Sequence, residues 1–213
     1  MKQKIENCID FVKNHFENDS SGHDYYHTMR VHTIAKQIAE KEKADVNIVI
    51  LSALLHDVDD IKISPSTNAN KDNARRFLVD NKVDEKTIEI ICNIINEVSY
   101  KGVETTPSIT LEGRIVQDAD RLDALGAIGI ARAFAYGGNK NRKMYDPNEK
   151  PKLNMTENEY RNHISTTINH FYEKLFNLKD IMNTETAKKM ALEREEYMKE
   201  FVKKFLTEWN GII

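Results

Sequence analysis

The chain is short of cysteine, of long apolar runs and of charge of either sign in excess, and each shortage narrows what it can be. Two cysteines among 213 residues, Cys8 and Cys92, lie far apart and form no C-x-x-C motif. Two lone thiols suit a reducing cytosol better than a disulfide framework, so a cytoplasmic protein is expected. The longest apolar stretch, VNIVILSALL at Val46–Leu55, is too short to span a bilayer and reads as a buried helix. The opening MKQKIENCID lacks the apolar run of a signal peptide. A net charge of −3, from 31 Lys and Arg against 34 Asp and Glu, gives no drive toward nucleic acid or an anionic membrane. No Ser/Gly-rich linker and no repeat of solenoid period divides the sequence, so one domain over residues 1–213 is expected. There is no G-x-x-x-x-G-K, no H-E-x-x-H and no convincing alternating strand.

What is present is helical periodicity. Ile5, Ile9, Val12 and Phe16 form one stripe; His23, His27, Val31, Ile34 and Ile38 form a second, with Ser20 or Ser21 as the expected cap. Asp45 is placed to cap the segment through Leu55, and Asp84 to cap one carrying Ile88, Ile91, Cys92, Ile95 and Val98. Between them, 61–68 holds Pro65 and turn formers, and a weaker helix follows around Ala74, Phe77 and Leu78. After a loop with Gly102 and Pro107, LEGRIVQDADRLDALGAIGIARAFAYGG is helical in pattern with a break or bend near Gly126. Residues 137–155 are polar and irregular, a length of loop often found as a lid. Thr156 and Glu159 have capping-box spacing ahead of Tyr160, Ile164, Ile168, Phe171 and Leu175. A last helix carries Met190, Arg194, Tyr197, Phe201, Phe205 and Trp209, its aromatics read as core. The expected class is all-α, with eight to ten helices.

Chemistry concentrates on three of these apolar faces. His23 and His27 share the register of Val31, Ile34 and Ile38, so that face points inward. A buried imidazole needs a partner, and a lone one is commonly a core histidine bonded to a carbonyl. Here His56 and Asp57 follow the most apolar segment of the chain, where a carboxylate is costly unless paired or bound to metal. Asp120 follows Val116 and Ala119 on a third face. Together His27, His56, Asp57 and Asp120 make a set of two nitrogen and two oxygen ligands, suited to a divalent ion such as Mn, Fe, Co, Ni or Zn.

The pattern H…HD…D, in HTMRV, ALLHD and DADRL, resembles the HD-domain superfamily of metal-dependent phosphohydrolases. GHDYYHTMRV, LLHDVDDIK and GRIVQDADRLDALGAIGIARAF look like the small stand-alone bacterial HD hydrolases that include YpgQ-like nucleotide pyrophosphatases, and the likeness extends to FYEKLFNLKDIMNTETAK. It implies an HD-type helical bundle with additional C-terminal helices and one divalent cofactor, with Mn favoured and Ni, Co, Fe, Zn or Mg as alternatives. No histidine occurs between Asp57 and Asp120, whereas two-metal HD members carry extra histidines in that interval, so one ion and hydrolysis are expected.

A metal acidifies water and polarises a phosphoryl oxygen, and a nearby carboxylate can take the proton. If the helix continues past the dyad, Asp60 lies at i+4 from His56 and faces the same place. Asp60 also falls where members of the H-D-x-x-E-D type carry an acidic residue, so it is the expected catalytic residue; the alternative is that Asp59 and Asp60 are solvated residues at a helix end. Phosphate needs cations, and Lys62, Arg30, Lys101 and Arg121 are candidate substrate ligands, with Lys62 foremost because it follows the dyad. His23 either orients a ligand or contacts phosphate, or is a core histidine. The resemblance implies a small-molecule nucleotide partner, no nucleic acid and no membrane, and cleavage of (deoxy)nucleoside triphosphates to monophosphate and pyrophosphate. The alternatives are a nucleoside monophosphate phosphatase on the same scaffold and a non-catalytic nucleotide sensor.

Overall fold

The computed structural model describes residues 1–17, 24–61 and 63–212, with backbone alone at Arg161. Among them ten α-helices and two 3₁₀ turns occur and no strand, the all-α class expected. The helices are α1 (Lys2–His15), α2 (Tyr25–Glu42), α3 (Val46–Leu55), α4 (Asp72–Asp80), α5 (Glu85–Val98), α6 (Leu111–Asp123), α7 (Gly126–Asn139), α8 (Glu157–Asn162), α9 (Thr167–Glu173) and α10 (Glu185–Trp209). Among the described residues no helix is long and apolar enough to cross a membrane. The chain, read from sequence as one domain, groups into two compact units, Met1–Ser99 with Thr106–Asp120 and Tyr100–Thr105 with Arg121–Ile213.

In the first unit α3 is apolar on every side, the pattern of a helix with no solvent face. Val49, Ile50, Leu51, Ala53, Leu54 and Leu55 are all buried, and α1, α2 and α5 pack around them. Replacing Leu54 by Ala there would cost about 2–5 kcal/mol, the transfer of the side chain plus the cavity it leaves. The caps are local and specific. Asp45 accepts from the amides of Asn47 and Ile48 at 2.9 and 3.2 Å, and Asp84 accepts from Thr87 at 3.1 Å. The expected caps of α2, Ser20 and Ser21, lie outside the described residues; Asp24 performs the role, accepting from the His27 amide at 2.7 Å.

In the second unit α7, α9 and α10 enclose an aromatic cluster in which Phe134, Phe171 and Phe201 are mutual neighbours. The break before α7 falls at Leu125–Gly126, where Gly126 has φ +70° and a Cβ would sit 3.1 Å from the Arg194 side chain. Two sequence expectations are corrected here. The helix expected through Tyr160 and Leu175 is interrupted after Asn162, because Thr166 is extended and caps a new helix, accepting from the Asn169 amide at 3.1 Å. Ile164 consequently lies 80% exposed. On α10 the buried stripe is Ala187, Ala191, Met198 and Val202, while Tyr197 and Trp209 are half exposed instead of core. The 137–155 stretch is tied to α9 by Thr167 and Ile168 amides donating to the Lys143 and Met144 carbonyls, both at 2.9 Å.

Candidate metal centre and active site

The site grows out of three helix ends in the first unit. Asp24 fixes the first turn of α2, and His27, one turn in, faces the interior and is buried. His56 is the C-cap residue of α3, still in right-handed helical geometry. Its Nδ1 lies 2.8 Å from the Ala53 carbonyl. That contact places the proton on Nδ1 and leaves the Nε2 lone pair facing the site, the arrangement that second-layer partners give metal-binding imidazoles. Asp57 follows, and Asp120 projects from α6.

The four side chains converge. His27 Nε2 lies 3.3 Å from Asp57 Oδ2 and 3.4 Å from Asp120 Oδ1; His56 Nε2 lies 3.2 and 3.8 Å from the same two atoms. Two neighbouring ligand atoms held by one ion at about 2.1 Å are about 3.0–3.4 Å apart in octahedral or tetrahedral geometry. Three of the four separations fall in that range, and the fourth, His56 Nε2 to Asp120 Oδ1, is longer. His56 Nε2 is buried and makes no hydrogen bond of acceptable geometry, although it has carboxylates beside it. A buried polar atom left so is the fit expected of a ligand. His27, His56 and Asp57 by themselves form a group able to hold a metal, with ligand atoms all within 4.8 Å of one another. Asp57 is nearly covered, while the Asp120 side chain is 30% exposed and marks the open side.

Charge follows geometry. Burial pushes the His56 imidazole toward the neutral form, but Asp57 and then Asp120 outweigh it and raise its pKa above the ordinary value. Burial pushes the Asp120 carboxyl up, yet the contact with His27 and the charge on His56 hold it well below the usual carboxylate range. The pocket favours positive charge at its centre, whether carried by protons or by a cation.

Beyond the dyad the structure departs from the helix extrapolation. Past Leu55 the chain tightens into three-residue turns, Val58 N–H to Leu55 O and Asp60 N–H to Asp57 O at 3.3 and 3.0 Å. The i+4 relation between His56 and Asp60 therefore does not hold, and Asp60 is a half-buried residue on the turn itself. Asp59 is not a solvated end residue. It is fully buried, and its two oxygens accept from the Asn73 and Ala74 amides at 3.1 and 2.9 Å. It caps α4 from a distance, in place of a side chain at the cap position.

Of the expected cations, Arg30 is on α2 just past His27 and half buried. Lys101 and Arg121 belong to the second unit, where the Arg121 side chain is buried and donates to the Ile181 carbonyl at 2.6 Å. His23 and Lys62 lie outside the described residues. Sequence reasoning passed over Gln117. Its buried amide accepts from Ser108 N–H at 3.0 Å and donates to the Glu97 and Thr106 carbonyls at 2.6 and 3.0 Å. These bonds fix α6, and so Asp120, against the end of α5. The one available signal was its position three residues before Asp120.

An all-helical unit that gathers two imidazoles and two carboxylates from three helix ends is built to hold a divalent metal ion. The chain belongs to the HD-domain family, whose sequence model matches residues 24–125 and so spans His27, His56, Asp57 and Asp120. It is similar to the uncharacterised protein YpgQ of Bacillus subtilis, 35% identical over 99% of this chain and 96% of that one. A solved HD-superfamily hydrolase from Bacillus thuringiensis is 44% identical and superposes with a TM-score of 0.78, covering 98% of both chains. Bacillus subtilis YpgQ solved in complex with ADP is 33% identical in that comparison, with a TM-score of 0.75 over 96% of this chain and 97% of that one. The chain is thus an HD-superfamily hydrolase of the metal-dependent phosphohydrolase class.

Proposed function

We propose that the protein hydrolyses (deoxy)nucleoside triphosphates between the α and β phosphates, giving monophosphate and pyrophosphate. His27, His56, Asp57 and Asp120 would hold one divalent ion, Mn favoured. The convergence of those four groups at ligand spacing carries the reading. The ADP complex of YpgQ supports a nucleotide as substrate. The two buried free thiols accord with a cytoplasmic setting. The whole of 1–213 is taken to serve this one activity.

A bound ion would acidify a water molecule and polarise a phosphoryl oxygen. The chain supplies the rest. The Ala53 carbonyl holds His56 in the tautomer that presents Nε2, and Gln117 holds the helix bearing Asp120. Asp60 accepts the proton of the attacking water. It is preferred to Asp59 because both Asp59 oxygens are occupied by α4 amides. Arg30, Lys62 and His23 are the remaining candidates for phosphate contact.

Phosphorus NMR of the reaction mixture tests the assignment. Pyrophosphate with monophosphate, and no diphosphate, is expected from a nucleoside triphosphate. Orthophosphate released from a monophosphate, with triphosphates untouched, would replace this reading with a nucleoside monophosphatase. Tight nucleotide binding without turnover in any metal would indicate a sensor.

A further inference from the structure

Lys71 breaks three local rules at once. It is the cap residue of α4, at the positive end of the helix dipole, where a cation is unfavourable. Its backbone is left-handed, φ +55° and ψ +47°, a conformation that glycine or asparagine adopts more cheaply. It is only 6% exposed, rare for a lysine without an ion pair. Rule-breaking of this kind is expected where a residue has work other than holding the fold.

The surroundings show where that work lies. The segment before α4 is fastened to the turn that carries the His56–Asp57 dyad. Asn68 Nδ2 donates to the Asp59 carbonyl at 2.7 Å, Asn73 Nδ2 donates to the Val58 carbonyl at 3.2 Å, and Asp59 caps α4. The carboxylates of Asp59 and Asp60 act electrostatically on the Lys71 ammonium, and among the described residues its side chain shows no ion pair or hydrogen bond. The Asp59 oxygens already receive two amides.

We infer that Lys71 is a phosphate-binding residue of this site, its ammonium contacting a phosphoryl oxygen of the polyphosphate group beside Asp60. A lysine on a flexible stem is a common phosphate ligand and acts as a point charge. A triphosphate brings several negative charges to a turn that otherwise presents aspartates. The inference deepens the proposed function and rests on the site taking a phosphate substrate.

The test is calorimetric titration of metal-loaded protein with imidodiphosphate, a pyrophosphate analogue whose nitrogen bridge resists hydrolysis. Wild type should bind it, Lys71→Met should weaken binding by about tenfold or more, and Lys71→Arg should keep most of it, the range of a lost charge-assisted contact. Should Lys71→Met fold poorly, Lys71→Asn suits the left-handed backbone and carries the same readout. Equal affinity in wild type and the uncharged variant overturns the inference, as does a wild type that does not bind the analogue. A purely structural counter-charge for Asp59 would show as a lower melting midpoint, repaired by adding Asp59→Asn, with affinity unchanged; that outcome also overturns it. If Lys71 governs imidodiphosphate binding but triphosphates are not cleaved, the pyrophosphatase reading fails and this one stands.

Discussion

The two units bury polar groups to different ends. In the second, buried carboxylates are answered locally: Asp123 pairs with Arg132 at 2.8 Å, and Glu173 meets His163 at 3.0 Å and the Lys152 amide at 3.1 Å. In the first, His27, His56, Asp57 and Asp120 face one another at 3.2–3.8 Å, and His56 Nε2 is left without a hydrogen bond. The same chemistry, carboxylate beside a nitrogen base, is architecture in one unit and a candidate metal site in the other. Burial of charge alone does not mark a site. Convergence of several such groups at ligand spacing does.

The sharpest way to break that contrast is a matched pair of variants. Asp57→Ala should lose the metal and bring turnover below detection, with the fold kept. Asp123→Asn should lower stability by about 3 kcal/mol, the low end for breaking a buried pair because Arg132 is part exposed, and leave metal content unchanged. Metal analysis beside thermal melting reads both; metal loss in the Asp123 variant would erase the distinction. Next in size, Asp60→Asn should keep the metal and slow turnover by about two to four orders of magnitude, the range for a lost general base. Near-normal rates would show that Asp60 takes no proton.

A smaller effect is expected from Gln117→Met, which keeps bulk but removes three hydrogen bonds. Metal affinity should fall by about 10- to 100-fold, as for other groups that orient a ligand. Unchanged affinity in a metal titration would mean that α6 is held by packing alone.

The smallest effect is a pH signature of the metal-free protein. His56, with a raised pKa, contributes stability that is complete below about pH 6.5 and lost as pH rises through its folded value. Asp120, with a depressed pKa, contributes stability present above about pH 4 and lost as pH falls through its folded value. The pair together contributes most between about pH 4 and 6.5. Because binding must expel the His56 proton, metal affinity should decline as pH drops through that raised value. Melting curves across pH, with and without metal, check both; a flat metal-free profile would contradict them.

The converging set was legible because each member breaks an apolar pattern that sequence displays directly: a histidine in the register of Val31 and Ile34, a dyad after Leu55, an aspartate after Val116 and Ala119. The caps Asp45 and Asp84 were legible for the same reason, since a cap acts within three residues. What sequence could not show acts across distance. Asp59 reaches fourteen and fifteen residues ahead to cap α4, and Gln117 reaches back twenty to Glu97. The i+4 placement of Asp60 failed because periodicity is silent on where a helix tightens into turns. The helix through Ile164 failed because Thr166 offers a new cap that periodicity does not weigh.

The central claim is that one divalent ion at this shell is required for activity. The direct measurement is turnover of a nucleoside triphosphate by chelator-stripped protein, titrated back with Mn while bound metal is counted. The account predicts no turnover in the stripped protein and full recovery at one ion per chain, with no recovery in His56→Ala. Full activity in the stripped protein would contradict it.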